Sequence, residues 1–374
     1  MAGWHMTNIR RREFLKASAS LAAASAMGGF GCVEIASAAP IQVPTVDKLT
    51  MRVLIDSSHD QFLRPKTVAG VQSIPPGPGR GNPDYRKVLH NQWGLSLFLE
   101  TQQGSDQRTV LLDFGYSPDA LLNNIEILKV DPTKINALIV SHGHFDHFGG
   151  LNGFLDKYRD KLPADLKLYA GGEDNFCRRL AGPATNLTEG GTLEKKDLAA
   201  HKVTVVLCET PTVIGHAFTT GKIKRTSSER ILPNTHVQWD KENAACNASH
   251  YAPAELLGKI VPDEHVHEHA TVFNVRGKGL VVISSCGHVG IVNSVKQAQE
   301  VSGVQKVHAV VGGFHLGPAP ADYLKQVVGE LAKLEPDVII PMHCSGDNFV
   351  RQVREELTSK LLESTTGNQY VFTA

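Results

Sequence analysis

Four potential metal ligands stand within six residues near the middle of the chain. They are His142, His144, Asp146 and His147, in the run Ser141-His-Gly-His-Phe-Asp-His. Imidazole nitrogens together with a carboxylate favour zinc, with iron or manganese as alternatives. The other interpretation is a polar loop whose histidines only cap a helix, and ligands at this density make it a poor one. The chemistry that these residues indicate is metal binding.

The flanking segments place this run at a junction between a strand and a helix. Residues 135–140 form a short apolar run typical of a buried strand. From Asp146 to about residue 162, apolar and charged residues alternate at helical spacing. On extended chain His142 and His144 point to the same side, whereas Asp146 and His147 diverge by roughly 100° in a first helical turn. This geometry suits two metal ions rather than one.

Three later strands also end in polar clusters. The predicted strands are residues 280–284, 307–311 and 338–341. Sites in open α/β sheets lie at the carboxyl ends of strands. The histidines and cysteines found there are Cys286, His288, His315, His343 and Cys344. One histidine at a strand end is weak support for a site, but three such strand ends are much stronger.

Strands and helices alternate over most of the chain, which predicts a layered α/β fold. Further strands are expected at residues 49–55, 95–100, 109–113 and 166–170. Helices are expected at residues 118–128, 291–301, 321–334 and 347–362. We expect residues 41–374 to form one domain.

Residues 171–265 are rich in Gly, Thr, Asn and charge, with short strands expected at 203–207 and around Val237. We predict a loop-rich insertion that covers a site. His265, His267 and His269 alternate, and we expect them to form a solvated strand face near the mouth of the site. Metal binding by this His-rich tract is the alternative. One disulfide among Cys177, Cys208 and Cys246 would be permitted outside the cytoplasm.

Composition excludes some partners. The 374 residues are 41% hydrophobic and 20% charged, which is ordinary for a soluble globular protein. Lys and Arg total 38, as do Asp and Glu, so the charge balance does not suggest nucleic acid. No segment reaches membrane-spanning length. We expect a small-molecule substrate.

Residues 1–38 have the pattern of a targeting segment. The run Arg11-Arg-Glu-Phe-Leu-Lys16 closely resembles the twin-arginine export signal, a weakly apolar Ala/Ser stretch follows, and Ala36-Ser-Ala38 offers a cleavage site. We therefore predict a bacterial protein that is periplasmic or exported, with the twin-arginine translocase as its partner during export. Lipid attachment at Cys32 is an open alternative.

The pattern H-x-H-x-D-H is similar to the signature of the metallo-β-lactamase superfamily. Within it, the stretches around Cys286-Gly-His288, Gly312-Gly-Phe-His-Leu316 and His343-Cys-Ser-Gly346 resemble the branch named after dihydropterin-aminobenzene phosphate synthases. In members of that branch the corresponding stretches have the sequences C-S-H-A-G-I-V-N, G-G-F-H-L and H-C-T-G. The resemblance extends over about residues 49–346.

The resemblance implies an αββα sandwich with two divalent metal ions. The first ion would be held by His142, His144 and His288, and the second by Asp146, His147 and His343. Asp113 would orient a ligand histidine. The aspartate that usually bridges the two ions has no obvious equivalent after residue 280.

Cys286 stands near the place of that aspartate, either as a thiolate ligand or as a small buried residue. His315 is expected to bind substrate, to donate a proton, or to hydrogen-bond structurally.

We therefore expect a binuclear hydrolase that uses a metal-activated hydroxide, oriented by Asp146, on an ester, lactone or phosphoester. The alternatives are a transferase that joins a pterin to a phosphoribosyl-aminobenzene, a di-iron redox protein and a non-catalytic binding protein. An exported protein would not meet the cytoplasmic intermediates of the transferase reaction. The sequence does not identify the residues that bind the substrate.

Overall fold

Short runs rich in apolar and β-branched residues form the strands. The structure is a computed structural model that describes residues 40–77, 87–232, 235–238 and 259–374. Its strands are β1 (Thr45–Val46), β2 (Lys48–Ile55), β3 (Lys66–Val68), β4 (Val71–Ile74), β5 (Ser96–Gln103), β6 (Asp106–Leu112), β7 (Ala137–Val140), β8 (Lys167–Ala170), β9 (Arg178–Ala181), β10 (Thr188–Glu189), β11 (Thr204–Leu207), β12 (Val213–Ile214), β13 (Ala217–Thr219), β14 (Thr235–Gln238), β15 (Ile260–Pro262), β16 (Thr271–Val275), β17 (Gly279–Ser284), β18 (Val307–Gly312), β19 (Val338–Pro341) and β20 (Gln369–Thr373).

The helices begin and end at recognisable signals. They are α1 (Pro118–Ile127), α2 (Phe145–Phe148), α3 (Leu151–Tyr158), α4 (Lys195–Ala200), α5 (Ile291–Ser302), α6 (Ala321–Lys333) and α7 (Asp347–Glu356). Short 3₁₀ turns occur at Pro132–Lys134, Arg159–Lys161, Glu173–Phe176, His343–Ser345 and Thr358–Lys360. Ser117 caps α1 by accepting a hydrogen bond from the Ala120 N–H. Gly303 ends α5 in the left-handed conformation, with φ of 71°.

Three sheets are present in the described residues. The nine-stranded sheet has the order β11-β8-β7-β6-β5-β2-β20-β4-β3, and the seven-stranded sheet has the order β12-β13-β16-β17-β18-β19 with β1 paired to β16. β6, β7, β8 and β11 are parallel, and so are β17, β18 and β19. The third sheet, β10-β9-β14-β15, is antiparallel throughout.

The two large sheets pack face to face, and helices cover their outer faces. In β7, Ala137 and Ile139 join the core between the sheets, whereas Leu138 and Val140 join the core under α1 and α3. A third core lies between the seven-stranded sheet and helices α5, α6 and α7. Because both faces of β7 are buried, its sequence is apolar throughout. The arrangement is the predicted α/β αββα sandwich.

Most element predictions are confirmed, and the differences have local causes. The β5–β6 hairpin extends to Gln103 and Asp106, beyond the predicted ends. The prediction stopped short because the exposed tip carries polar residues, which interrupt the apolar pattern. α7 ends at Glu356, several residues before the predicted end. The sequence did not predict β16 or β20, although both lie inside the large sheets.

The segment 171–265 contributes to all three sheets. β11 extends the nine-stranded sheet, and β12 and β13 extend the seven-stranded sheet. The remaining strands, β9, β10, β14 and β15, form the third sheet, which the sequence did not predict. β14 is the strand expected around Val237. The other three strands are short and the pairs join residues distant in sequence, such as Arg179 with Val237, so periodicity alone did not indicate the sheet.

Several predictions fall outside the described residues, namely the targeting segment 1–38, Cys32 and Cys246. Cys177 is disulfide-bonded, whereas Cys208 is a free thiol. No helix in the described ranges is long and apolar enough to cross a membrane.

Gly312 ends β18 where the chain has no space for a side chain. Its φ is +114°, and a Cβ there would lie 1.9 Å from the Ser284 carbonyl oxygen. We expect Gly312→Ala to lower the free energy of unfolding in urea by at least about 1–3 kcal/mol. The control is Gly329→Ala in α6, where a Cβ meets nothing within 4 Å. We expect the control to be neutral or to stabilise by up to about 1 kcal/mol. Equal stability of the two variants would contradict the close approach of β17 and β18.

Candidate metal centre

The ends of four strands bring the predicted ligands to one edge of the sheets. Asp113 follows β6, His142 follows β7, His288 follows β17 and His343 follows β19. β6 and β7 run parallel, as do β17 to β19. Because the carboxyl ends of parallel strands meet at the same edge, residues distant in sequence converge there.

His142, His144 and His288, the first trio, lie with their rings in contact. The ring centroids are 4.5 Å apart for His142 and His144, 4.9 Å for His142 and His288, and 4.6 Å for His144 and His288. One nitrogen from each ring lies within 4.8 Å of the others. Within the described part of the chain, His142 Nε2 and both ring nitrogens of His288 are buried without a hydrogen-bond partner. Since buried polar atoms are normally satisfied, these nitrogens fit a metal ion.

Asp146, His147 and His343, the second trio, converge on a second point. Asp146 Oδ2 lies 3.2 Å from His343 Nε2 and 3.7 Å from His147 Nε2. The two Nε2 atoms are 3.3 Å apart. Ligands about 2.1 Å from a common tetrahedral ion are separated by about 3.4 Å. The trio therefore also fits a metal ion.

The carboxylate of Asp113 fixes the orientation of His147. Asp113 Oδ2 lies 2.8 Å from His147 Nδ1 and accepts a hydrogen bond of 2.7 Å from Ser141 Oγ. Asp113 Oδ1 accepts a bond of 2.8 Å from the Ser141 N–H. With Nδ1 held in this way, Nε2 of His147 faces the second trio. The orienting role of Asp113 stays a prediction, and it requires a contact of this kind.

The two trios differ in electrostatics. Burial and the neighbouring imidazoles hold the pKa of His142 well below its ordinary value, so the first trio offers neutral nitrogens. Burial also opposes the charged form of His147, but the charges of Asp146 and Asp113 outweigh it and raise the pKa of His147 to about 9. Burial raises the pKa of Asp146, but the neighbouring histidines lower it below its ordinary value. The second trio therefore stabilises positive charge.

Cys286 lies between the trios. Its Sγ is within 4.8 Å of ligand nitrogens of both His142 and His147. It is also within 4.8 Å of ring nitrogens of His288 and His315. The side chain is only 3% exposed. Cys286 is therefore within reach of ligands from both trios.

His315 stands beside the first trio. Its ring centroid is 4.2 Å from that of His288, and its Nδ1 is 3.8 Å from Cys286 Sγ. Nε2 is buried and lacks a hydrogen-bond partner among the described residues. Burial lowers the pKa of His315, but the hydrogen bond and charge of the Cys344 sulfur outweigh burial and raise it.

A buried ion pair that the sequence did not indicate supports the first trio. Arg179 Nε donates to Asp263 Oδ2 at 2.8 Å, and both side chains are 1% exposed. Asp263 Oδ2 lies 3.7 Å from His144 Nε2, and Thr235 Oγ1 lies 3.1 Å from the same nitrogen. A Cβ at Gly143 would lie 2.3 Å from Arg179 Nη1, so this position needs glycine. The third sheet therefore forms a wall that holds His144.

The prediction for residues 265–269 is wrong. His265, His267 and His269 are at most 1% exposed and belong to no strand. His267 Nε2 lies 2.9 Å from Arg179 Nη2. Alternation of three histidines cannot distinguish a solvated face from a buried loop, and here the Arg179–Asp263 pair and the third sheet exclude water.

Residues from the amino-terminal part of the chain support His343. The Asp56 carboxylate accepts a bond of 2.8 Å from the His343 N–H. Ser57 Oγ lies 2.9 Å from His343 Nδ1, and the Gly94 N–H lies 3.3 Å from the same nitrogen. The sequence did not predict these contacts with His343, although the acid at the end of the apolar strand β2 was a usable signal.

Backbone strain is concentrated at this centre. Asp113, His265, His315 and His343 are four of the eight non-glycine residues with positive φ in the described chain, with φ between 45° and 58°. Such conformations cost about 1–3 kcal/mol each and persist only where surrounding contacts hold them. Their position supports a functional rather than a purely structural role for these loops.

A cavity of about 460 Å³ opens onto both trios. Trp93, Tyr116 and Phe145, the aromatic rim, line its mouth, with 57%, 49% and 36% exposure. Tyr116 and Phe145 meet edge to face at 5.0 Å, and Trp93 lies 4.7 Å from the His343 ring. The volume suits a small-molecule ligand.

Comparisons with known proteins agree with this geometry. Residues 94–176, which include the H-x-H-x-D-H run, match the family model described as the metallo-β-lactamase superfamily. A protein of Methanocaldococcus jannaschii named 7,8-dihydropterin-6-methyl-4-(β-D-ribofuranosyl)-aminobenzene-5'-phosphate synthase is 28% identical over 277 residues, covering 73% of this chain and 87% of the relative.

The fold is also found among solved structures. The structure of a metal-dependent hydrolase of the β-lactamase superfamily aligns with a TM-score of 0.62 and 22% identity, over 86% of this chain and 98% of that one. The layered α/β architecture therefore has a known counterpart.

Asp113→Asn tests the support of the second trio. Asparagine keeps the shape of the side chain but removes the charge beside His147, so we expect affinity for Zn²⁺ to fall about 10–100-fold. Competition with a chromophoric chelator measures it. The control is Asp131→Asn, an exposed residue that caps the turn at Pro132–Lys134. Unchanged affinity in folded Asp113→Asn protein would refute the orienting role.

Proposed function

We propose that this protein, which carries a metallo-β-lactamase superfamily domain on the fold of that superfamily, is a binuclear metal-dependent hydrolase of an ester, lactone or phosphoester. The observation that carries the proposal is the convergence of two ligand trios on one cavity. The two trios are adjacent, because the ring of His142 in the first trio lies 4.2 Å from the ring of His147 in the second. We propose zinc as the metal, with iron or manganese as alternatives.

The chain supplies both ligands and orientation. When bound, two such ions lower the pKa of water and polarise the electrophilic oxygen of a substrate. Cys286 is proposed as an additional ligand between the trios, because its sulfur lies within reach of both. Asp113, Arg179 and Asp263 hold the ligand rings in position.

Two side chains are placed to handle protons. Asp146 is 14% exposed and faces the cavity, so its second oxygen can accept a hydrogen bond from the attacking water and orient it. His315 lines the same cavity, and its unpartnered Nε2 can donate a proton to the leaving group.

The cavity lining favours an ester or lactone with an apolar group over a strongly anionic substrate. The aromatic rim exposes large apolar surfaces beside the second trio. Among the described residues that line the cavity, Arg179 is the one Lys or Arg, and Asp263 already neutralises it. A flat apolar group can pack against the rim, whereas a phosphate has no uncommitted side-chain cation in this lining.

The second candidate is the synthase reaction that joins a pterin to a phosphoribosyl-aminobenzene. The relative that is 28% identical and carries the synthase name favours it. The neutralised Arg179 argues against it, because that substrate has a phosphate group.

His144→Ala tests the metal-dependent mechanism. We expect two metal ions per wild-type chain by elemental analysis and a loss of metal in the variant. Hydrolysis of an ester, lactone and phosphodiester panel should fall by at least about 100-fold, because the first trio loses a ligand. The matched control is His201→Ala, whose ring pairs with Asp156 away from the cavity. Hydrolysis that survives the loss of metal would refute the mechanism.

The same wild-type preparation separates the alternatives. Condensation of the pterin and phosphoribosyl-aminobenzene substrates without hydrolysis would replace the hydrolase with the synthase. Tightly bound iron in protein that hydrolyses nothing in the panel would favour redox chemistry. Inertness of metal-replete protein in every assay would favour a binding protein.

Trp93→Ala tests the aromatic rim. We expect KM for aryl esters to rise about fivefold relative to KM for short alkyl esters, because stacking contributes about 1 kcal/mol beyond area burial. Trp93→Phe should restore most of the preference. Phe62→Ala serves as a control, since Phe62 is 72% exposed and does not line the cavity. Metal content is measured in parallel because Trp93 contacts His343. Equal effects on aryl and alkyl esters would contradict the assignment.

A further inference from the structure

Two thiols face each other at the edge of the metal-centre cavity. Cys286 follows β17 and Cys344 follows β19, and their Sγ atoms are 3.1 Å apart. Both residues are 3% exposed, and both are free thiols. The separation exceeds the length of a disulfide bond by only about 1 Å.

The close approach of the two sulfurs depends on a glycine in the loop between them. β18 separates β17 from β19, so the two sulfurs must meet across the loop that follows β18. A Cβ at Gly313 in that loop would lie 2.8 Å from Cys344 Sγ and 2.3 Å from the Ser285 carbonyl oxygen. Any side chain at Gly313 would therefore push the sulfurs apart.

Hydrogen bonds hold the two thiols in this position. The His315 N–H donates to Cys344 Sγ at 3.2 Å, and Cys344 Sγ lies 3.4 Å from the Cys286 carbonyl oxygen. Both cysteines also line the cavity. An oxidant as small as a peroxide that enters the cavity can therefore reach them.

We propose that Cys286 and Cys344 form a reversible redox-modification site, in which a hydroperoxide converts the dithiol to a disulfide. One thiol is oxidised by hydrogen peroxide to a sulfenic acid, and one water is released. The other thiol attacks that sulfur, which forms the S–S bond and releases a second water. Two thiols and one peroxide thus give one disulfide and two waters, and an external thiol reverses the step.

The modification would act on the metal centre. Cys286 Sγ lies within reach of His142 and His147, and a disulfide would withdraw that sulfur from the trios. His288 and His343 are carried by the same two loops. This consequence rests on the proposed function, whereas formation of the disulfide does not.

Peptide mapping tests the site directly. Metal-loaded wild-type protein is treated with one equivalent of hydrogen peroxide, alkylated and digested with trypsin without reduction. We expect a cross-link between the peptides of residues 279–296 and 334–351, two hydrogens lighter than their sum and lost on treatment with dithiothreitol. Bound metal should fall on oxidation and return after reduction and addition of Zn²⁺.

Matched variants make the result decisive. Cys286→Ser and Cys344→Ser should each abolish the cross-link, and Cys208→Ser should retain it because Cys208 lies elsewhere in the fold. Circular dichroism checks that the variants are folded. Two cysteines that remain alkylatable, or that oxidise separately to sulfinic acids, would overturn the proposal. A cross-link in protein that lacks hydrolase activity would support this site while the proposed function fails.

Discussion

Burial of many imidazole rings in one small volume is the constraint on which the rest of the structure depends. The rings of His142, His144 and His288 lie within 5 Å of one another and are almost fully removed from solvent. Protonation of several such rings at once is unfavourable because burial and mutual repulsion both oppose it. Carboxylates compensate for this repulsion: buried Asp113 and partly buried Asp146 lie on one side of the cluster, and buried Asp263 lies on the other.

The placement of charge makes the two halves of the centre different. Asp146 and Asp113 attract positive charge to His147, whereas burial and neighbouring rings keep the first trio neutral. Burial lowers the pKa of His267, and the Arg179 guanidinium behind the first trio lowers it further. The two sites are therefore asymmetric. Metal binding at the second trio must displace a proton, whereas metal binding at the first trio need not.

Much of the fold and part of the centre could be predicted from the sequence. The apolar run 135–140 and the strands that precede Cys286, His315 and His343 are buried on both faces, so their patterns are unambiguous. The third sheet was missed because its strands are short and pair across long sequence separations. Arg179 was missed because nothing in its neighbours indicates that a charged residue there is buried.

The sequence by itself determined the ligand types and their positions at the ends of strands, because these depend on local patterns of apolar and polar residues. Only the tertiary structure decided which ligands meet, since strand order brings His343 to Asp146 and places the sulfur of Cys344 beside that of Cys286. It also decided that His265 and His267 are buried. Exclusion of solvent from a residue depends on segments that are distant in the chain, and a local sequence pattern does not indicate which segments cover it.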